Sequence, residues 1–139
     1  IFRIALKCKG VDRINLITDA TSLAGLPDGD YGEVPDRAVT KTGGKIVVAG
    51  TDTLAGSALS MNMVYQNAAK FAPLTLSELS KLSSLNAAKI LGKEADIGSL
   101  EVGKLADLVL LDSESNVCAT MIEGEWKYLS DEWKEALSG

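Results

Sequence analysis

The chain has 139 residues, 46% of them hydrophobic and 24% charged, with a net charge of −5, the size of one ordinary domain and the balance of a globular protein rather than a disordered one. The negative balance argues against a phosphate-backbone partner, and no apolar run nears the roughly 20 residues that span a bilayer, so neither nucleic acid nor membrane is expected. There is no histidine, which removes the commonest general base, the commonest metal ligand and every Ser-His or Cys-His nucleophile pair.

The first nine residues read as a helix, with Phe2, Ala5 and Leu6 on one face and Gly10 where a helix C-terminus wants it. The chain opens without Met inside this pattern and shows no signal peptide, which reads as a fragment of a cytoplasmic protein. Cys8 and Cys118 lie far apart without metal-binding spacing and read as buried, reduced thiols. The run Arg13-Ile14-Asn15-Leu16-Ile17-Thr18 is short, apolar and β-rich. It predicts a mostly buried parallel strand that delivers Asp19 from its C-terminal end.

From Ala20 to Asp36 the sequence is rich in Gly, Pro and Asp and predicts a long surface loop. Asp28, Asp30, Glu33 and Asp36 crowd this loop without the spacing of a calcium site, and are expected to be solvated. Two extended pieces, 37–41 and 45–48, pair as a hairpin through Gly43-Gly44. The segment 51–57 then leads as a loop into a helix over 58–71, with Ala58, Met61, Val64, Tyr65 and Ala68 on its apolar face and Ser57 as a good N-cap. Thr75 and Glu78 form a capping box that starts a helix over 76–82. A further helix spans 86–91 and is closed by Gly92. The last third is β-rich: a strand over 105–111, a hairpin of 116–122 with 126–129 across Glu123-Gly124-Glu125, and a final helical turn or two capped by Ser130. Asp107 is expected to be structural, and Trp126 and Trp133 to pack within this module.

This order suggests the last unit of a parallel α/β barrel followed by an appended β module. A barrel of about 250 residues spends roughly 30 on each unit, so only one full unit fits here. Catalytic side chains of such barrels project from the C-terminal ends of strands, the position given to Asp19, although Asp also commonly ends a strand as a plain turn residue. In the segment Leu54-Ala55-Gly56-Ser57, small residues let backbone approach a ligand closely. The alternative is that Gly56 and Ser57 only turn the chain and cap the next helix.

Leu16-Ile17-Thr18-Asp19-Ala20 with Leu23-Ala24-Gly25 resembles the eighth-strand motif of the N-acetylglucosamine-6-phosphate deacetylases of the amidohydrolase superfamily. Gly50-Thr51-Asp52-Thr53-Leu54-Ala55-Gly56-Ser57-Ala58-Leu59-Ser60-Met61 is similar to their substrate-side loop and following helix. Ser84-Leu85-Asn86-Ala87-Ala88-Lys89-Ile90-Leu91-Gly92 is similar to a helical segment of the superfamily, with Ala87 where Pro is frequent. Gly98-Ser99-Leu100-Glu101-Val102-Gly103-Lys104-Leu105-Ala106-Asp107-Leu108-Val109 resembles its return strand.

The resemblance implies that residues 1–97 are the last part of a (β/α)8 TIM-barrel domain, with an inserted hairpin near 37–48, and that 98–139 are strands of a small β-sandwich. It implies that Asp19 takes a proton from a metal-bound water and then protonates the departing amine, while Leu54, Ala55, Gly56 and Ser57 touch the sugar. The cofactor implied is a divalent metal ion, zinc or iron, whose ligands and phosphate-binding residues belong to strands absent from this chain. Without them the chain is expected to be inert, and stable only as a homo-oligomer or with its missing part. The expected small-molecule partner is an amino-sugar phosphate. Two rival readings are another amidohydrolase, dihydroorotase-like or aminoacylase-like, and a non-catalytic assembly module.

Overall fold

A computed structural model describes residues 1–33 and 36–138. The architecture is mixed α/β, and the chain divides into two compact units, Ile17–Val64 and Ile1–Leu16 together with the chain from Tyr65 onward. Among the described residues no helix is long and apolar enough to cross a membrane.

The first unit is built on a four-stranded antiparallel meander: β1 (Gly29–Glu33), β2 (Ala38–Thr42), β3 (Lys45–Val48) and β4 (Leu54–Ser57), paired in that order. The β2–β3 hairpin turns through Gly43-Gly44, and Gly43 has φ 58, a conformation that glycine adopts without steric cost. Val39 and Ile46 lie on the buried face, and with Leu23 they form the core, against which Tyr31, Ala55 and Ala58 pack. The predicted loop over 20–36 therefore contains a strand, and the predicted loop over 51–57 ends in one. Asp28 and Asp30 are not simply solvated. Asp28 accepts from the Lys41 ammonium at 2.9 Å and from the Gly43 N–H, and Asp30 accepts from the Thr40 hydroxyl.

The second unit contains α1 (Phe2–Lys9), which ends at Gly10 as expected, and a 3₁₀ turn over Val11–Arg13. The predicted strand over 13–18 has no sheet partner among the described residues. Instead the Leu16 N–H donates to the Leu82 carbonyl, and the buried Asn86 amide donates to the carbonyls of Val11 and Ile14. The division between the units falls within α2 (Met61–Phe71), which starts three residues later than predicted.

The capping box holds α3 (Leu76–Ser80) at its start. The Glu78 N–H donates to the Thr75 hydroxyl, and the Glu78 carboxylate accepts from the Thr75 N–H at 2.8 Å. The two helices expected here are one continuous helix, because a π-helical turn over Lys81–Leu85 joins α3 to α4 (Asn86–Ile90).

A three-stranded antiparallel sheet follows: β5 (Leu108–Leu111), β6 (Val117–Ile122) and β7 (Glu125–Leu129), in that order. The β6–β7 turn is two residues, Glu123 at φ 51 and Gly124 at φ 82, the left-handed pair that matches strand twist. Asp107 is structural here, accepting from the Glu123 N–H at 2.8 Å. The final helix, α5, spans Asp131–Ser138. The two cysteines are free, but Cys8 is exposed and Cys118 only half-buried, so the expectation of two buried thiols is corrected.

Candidate active site

Asp19 follows directly on the apolar run that ends at Thr18, and it is exposed with φ 51. That left-handed conformation is uncommon outside glycine, and Asp and Asn are among the few side chains that tolerate it. Local hydrogen bonds hold it there. The Ala20 N–H donates to the Thr18 hydroxyl at 3.3 Å, while the Asp19 carbonyl accepts the Ser57 N–H at 2.9 Å. The Ser57 carbonyl in turn accepts the Thr21 N–H at 2.9 Å, which completes a parallel bridge between Ala20 and Ser57. Among the described residues this is the one parallel pairing.

Two segments far apart in sequence, Asp19 and Leu54–Ser57, therefore lie side by side. The bridge requires glycine at position 56: its φ is 122, and a Cβ there would overlap Cγ2 of Thr21. Leu54 is at the far end of β4 with 68% of its surface exposed, whereas Ala55, Gly56 and Ser57 are half-buried. Ser57 does not cap the following helix, as its sequence position suggested. Its hydroxyl accepts from the Leu59 N–H at 2.9 Å, and the helix starts only at Met61, with the Val64 N–H donating to the Ser60 carbonyl.

Chemically, the arrangement offers one exposed carboxylate on a backbone fixed from both sides. Such a group can accept a proton from one atom and return it to another, provided both lie within hydrogen-bond reach. It is not a metal centre by itself. Among the described residues no three His, Cys, Asp or Glu side chains gather, and a four-coordinate site needs at least three protein ligands. A shallow groove of about 500 Å³ in the other unit is lined by Gln66, Lys70 and Ser113–Asn116, and it contains none of the residues above. Two side chains frame Asp19: Thr18, which lies within the Leu16–Ala20 motif, and Thr21, which lies outside it. Thr21 carries no local signal, because its contact with Gly56 exists only once the two segments are adjacent.

The sequence profile of the amidohydrolase family matches residues 35–127. Over 130 residues the chain is 36% identical to an N-acetylglucosamine-6-phosphate deacetylase of Bacillus subtilis, covering 94% of this chain and 32% of that protein. It is 38% identical over 118 residues to an N-acetylgalactosamine-6-phosphate deacetylase of Escherichia coli O157:H7, covering 85% and 31%. The crystal structure of an N-acetylglucosamine-6-phosphate deacetylase from Thermotoga maritima superposes with a TM-score of 0.85 at 38% identity, over 93% of this chain and 35% of that one. The chain spans about a third of the length of these relatives.

Proposed function

Because the chain belongs to the amidohydrolase family, we propose that the whole protein hydrolyses the acetamide of N-acetylglucosamine 6-phosphate, giving glucosamine 6-phosphate and acetate. The observation that carries this reading is the parallel bridge that sets Asp19 beside Leu54–Ser57 in a chain whose relatives are named as deacetylases of this kind. In this reading Asp19 is the proton carrier. Water adds to the acetamide carbonyl and gives a proton to the Asp19 carboxylate. The carboxylic acid then delivers that proton to the nitrogen as the carbon–nitrogen bond breaks. The second transfer is needed because an unprotonated amine anion is a very poor leaving group.

Leu54, Ala55, Gly56 and Ser57 form the wall against which the sugar lies. The same reading makes residues 1–97 the closing part of a (β/α)8 barrel and 98–139 strands of a small β-sandwich, with the likeness to the Thermotoga maritima deacetylase in its support. It assigns the protein to the cytoplasm, and the divalent ion, zinc or iron, to ligands outside this chain. It also pairs these residues either with a second copy or with the rest of the protein.

The test is acetate release by the full-length protein and its Asp19→Asn variant. The variant is expected to lose about 10²- to 10⁴-fold in kcat, with KM little changed. Wild-type turnover by Asp19→Asn refutes the assignment. Because the galactosamine relative is 38% identical, both sugar phosphates belong in the assay, and a preference for the galactosamine substrate moves the function to the 4-epimer.

A further inference from the structure

We propose that Thr21 is the positioning residue for Asp19; its effect on turnover rests on the deacetylase reading, whereas its geometry stands without it. The two hydrogen bonds that bracket Asp19 both end on Ser57, one on its N–H and one on its carbonyl. Asp19 keeps its left-handed backbone only while Ser57 stays in register, and register here depends on how closely the neighbouring backbone can approach. Gly56 has no side chain, and Cγ2 of Thr21 occupies the place where one would stand. The methyl is therefore the surface on which β4 rests.

The Thr21 rotamer is fixed from its other branch. Its hydroxyl accepts from the Leu23 N–H at 3.2 Å, and its carbonyl accepts from the Ala24 N–H at 3.1 Å, so Thr21 opens the turn that follows. A β-branched side chain has few χ1 choices, and anchoring the hydroxyl settles where the methyl points. Leu23 is buried with Val39 and Ile46. The core thus sets Leu23, Leu23 sets the Thr21 hydroxyl, the Thr21 methyl sets Gly56, and the resulting bridge sets Asp19. A threonine whose only task was to start a turn would need its hydroxyl and not its methyl.

That difference gives a test in the full-length protein with two variants. Thr21→Ser keeps the hydroxyl and removes the methyl. It is expected to lower kcat about tenfold, because displacements near 1 Å can cost about 10²-fold, with KM within about twofold and thermal midpoint near wild type. Thr21→Val keeps a methyl against Gly56 and removes the acceptor for the Leu23 N–H. It is expected to lower the thermal midpoint more than Thr21→Ser does and kcat by less than about threefold. Wild-type kcat in Thr21→Ser, or equal kcat losses in both variants, overturns the proposal. If the wild-type protein releases acetate from neither sugar phosphate, the deacetylase reading fails, and amide hydrogen exchange at Ser57 and Thr21 decides the positioning on its own. Exchange about tenfold faster at both amides in Thr21→Ser, with Thr21→Val closer to wild type, supports the role; protection unchanged in Thr21→Ser overturns it.

Discussion

Replacing Asn86 with Ala tests the contact that fastens the segment leading towards Asp19. Asn86 is 3% exposed, and its amide nitrogen donates to the carbonyls of Val11 and Ile14, both at 2.8 Å. Loss of two such bonds removes about 1 kcal/mol each and leaves two carbonyls short of a partner, for a gross cost of about 2–4 kcal/mol. Part is returned, because the Asn86 carbonyl oxygen is buried without a partner, and because Ala suits a helix better by about 0.5 kcal/mol. The expected net cost is about 2 kcal/mol.

Asn86→Asp is the sharper variant, since it preserves shape while removing both donors. Ionised, it turns negative oxygen towards two carbonyls; protonated, it supplies one O–H donor. Its pKa in the folded state is expected to be raised, so the variant's stability is highest below the unfolded carboxyl pKa near 4 and is lost as pH rises through the folded value. Urea unfolding followed by fluorescence of Trp126 and Trp133, both in the same unit, at pH 4 and pH 7 measures this. An Asn86→Ala cost below about 0.5 kcal/mol, or an Asn86→Asp cost independent of pH, refutes the reasoning.

Gly98→Ala is expected to destabilise by about 2 kcal/mol or more in the same unfolding assay. Its φ is +94, and a Cβ there would stand 2.7 Å from the Ala88 Cβ and 3.1 Å from the Leu85 Cα, where backbone cannot yield. Hydrogen bonds from the Gly43 N–H and from Lys41 hold the Asp28 carboxyl below the usual carboxylate range. The contribution to stability is therefore present above the unfolded pKa and lost as pH falls through the lower folded value. Asp28→Asn should be less stable than wild type at neutral pH and should lose less on acidification below about pH 4; identical acid unfolding curves for the two proteins would exclude this role.

The elements readable in the sequence are those fixed by short-range chemistry. Thr75 and Glu78 stand three residues apart, and both bonds of their capping box form. Gly43 and the Glu123-Gly124 pair supply the positive-φ residues that two tight hairpins need. The elements missed lack such a signature. β1 (Gly29-Asp30-Tyr31-Gly32-Glu33) is an edge strand with one half-buried side chain, so it shows no alternation of apolar and polar residues. β4 is Leu-Ala-Gly-Ser, too small and too short to resemble a strand until its partners are known.

The run 13–18 fails in the opposite sense. Its β-rich apolar composition suits a strand, yet within this chain it is tied to a helix through Leu82 and Asn86. The break expected between two helices near Ser83-Ser84 is instead a π turn, in which the Ser83 hydroxyl donates back to the carbonyls of Leu79 and Ser80. A hydroxyl that bonds to the preceding turn lets the helix continue where composition predicts that it ends.

The candidate site was legible in its members and illegible in its assembly, for the same physical reason. Asp19 and the Leu54–Ser57 segment each carry a local pattern that can be noticed without knowing the fold. What brings them together is a pair of backbone hydrogen bonds and a methyl lying against a missing side chain, and these have no local pattern. Thr21 looks like a turn residue and Gly56 like a flexible one until the two are adjacent. The contact is then specific in both directions: any larger side chain at 56 meets the methyl, and a smaller one at 21 leaves β4 without its stop. On the proposed reading, Asp19 as proton carrier needs that specificity more than the core does. A core can repack around a lost methyl at a cost in stability, whereas a proton carrier displaced by 1 Å loses its reach to one of the two atoms it must serve.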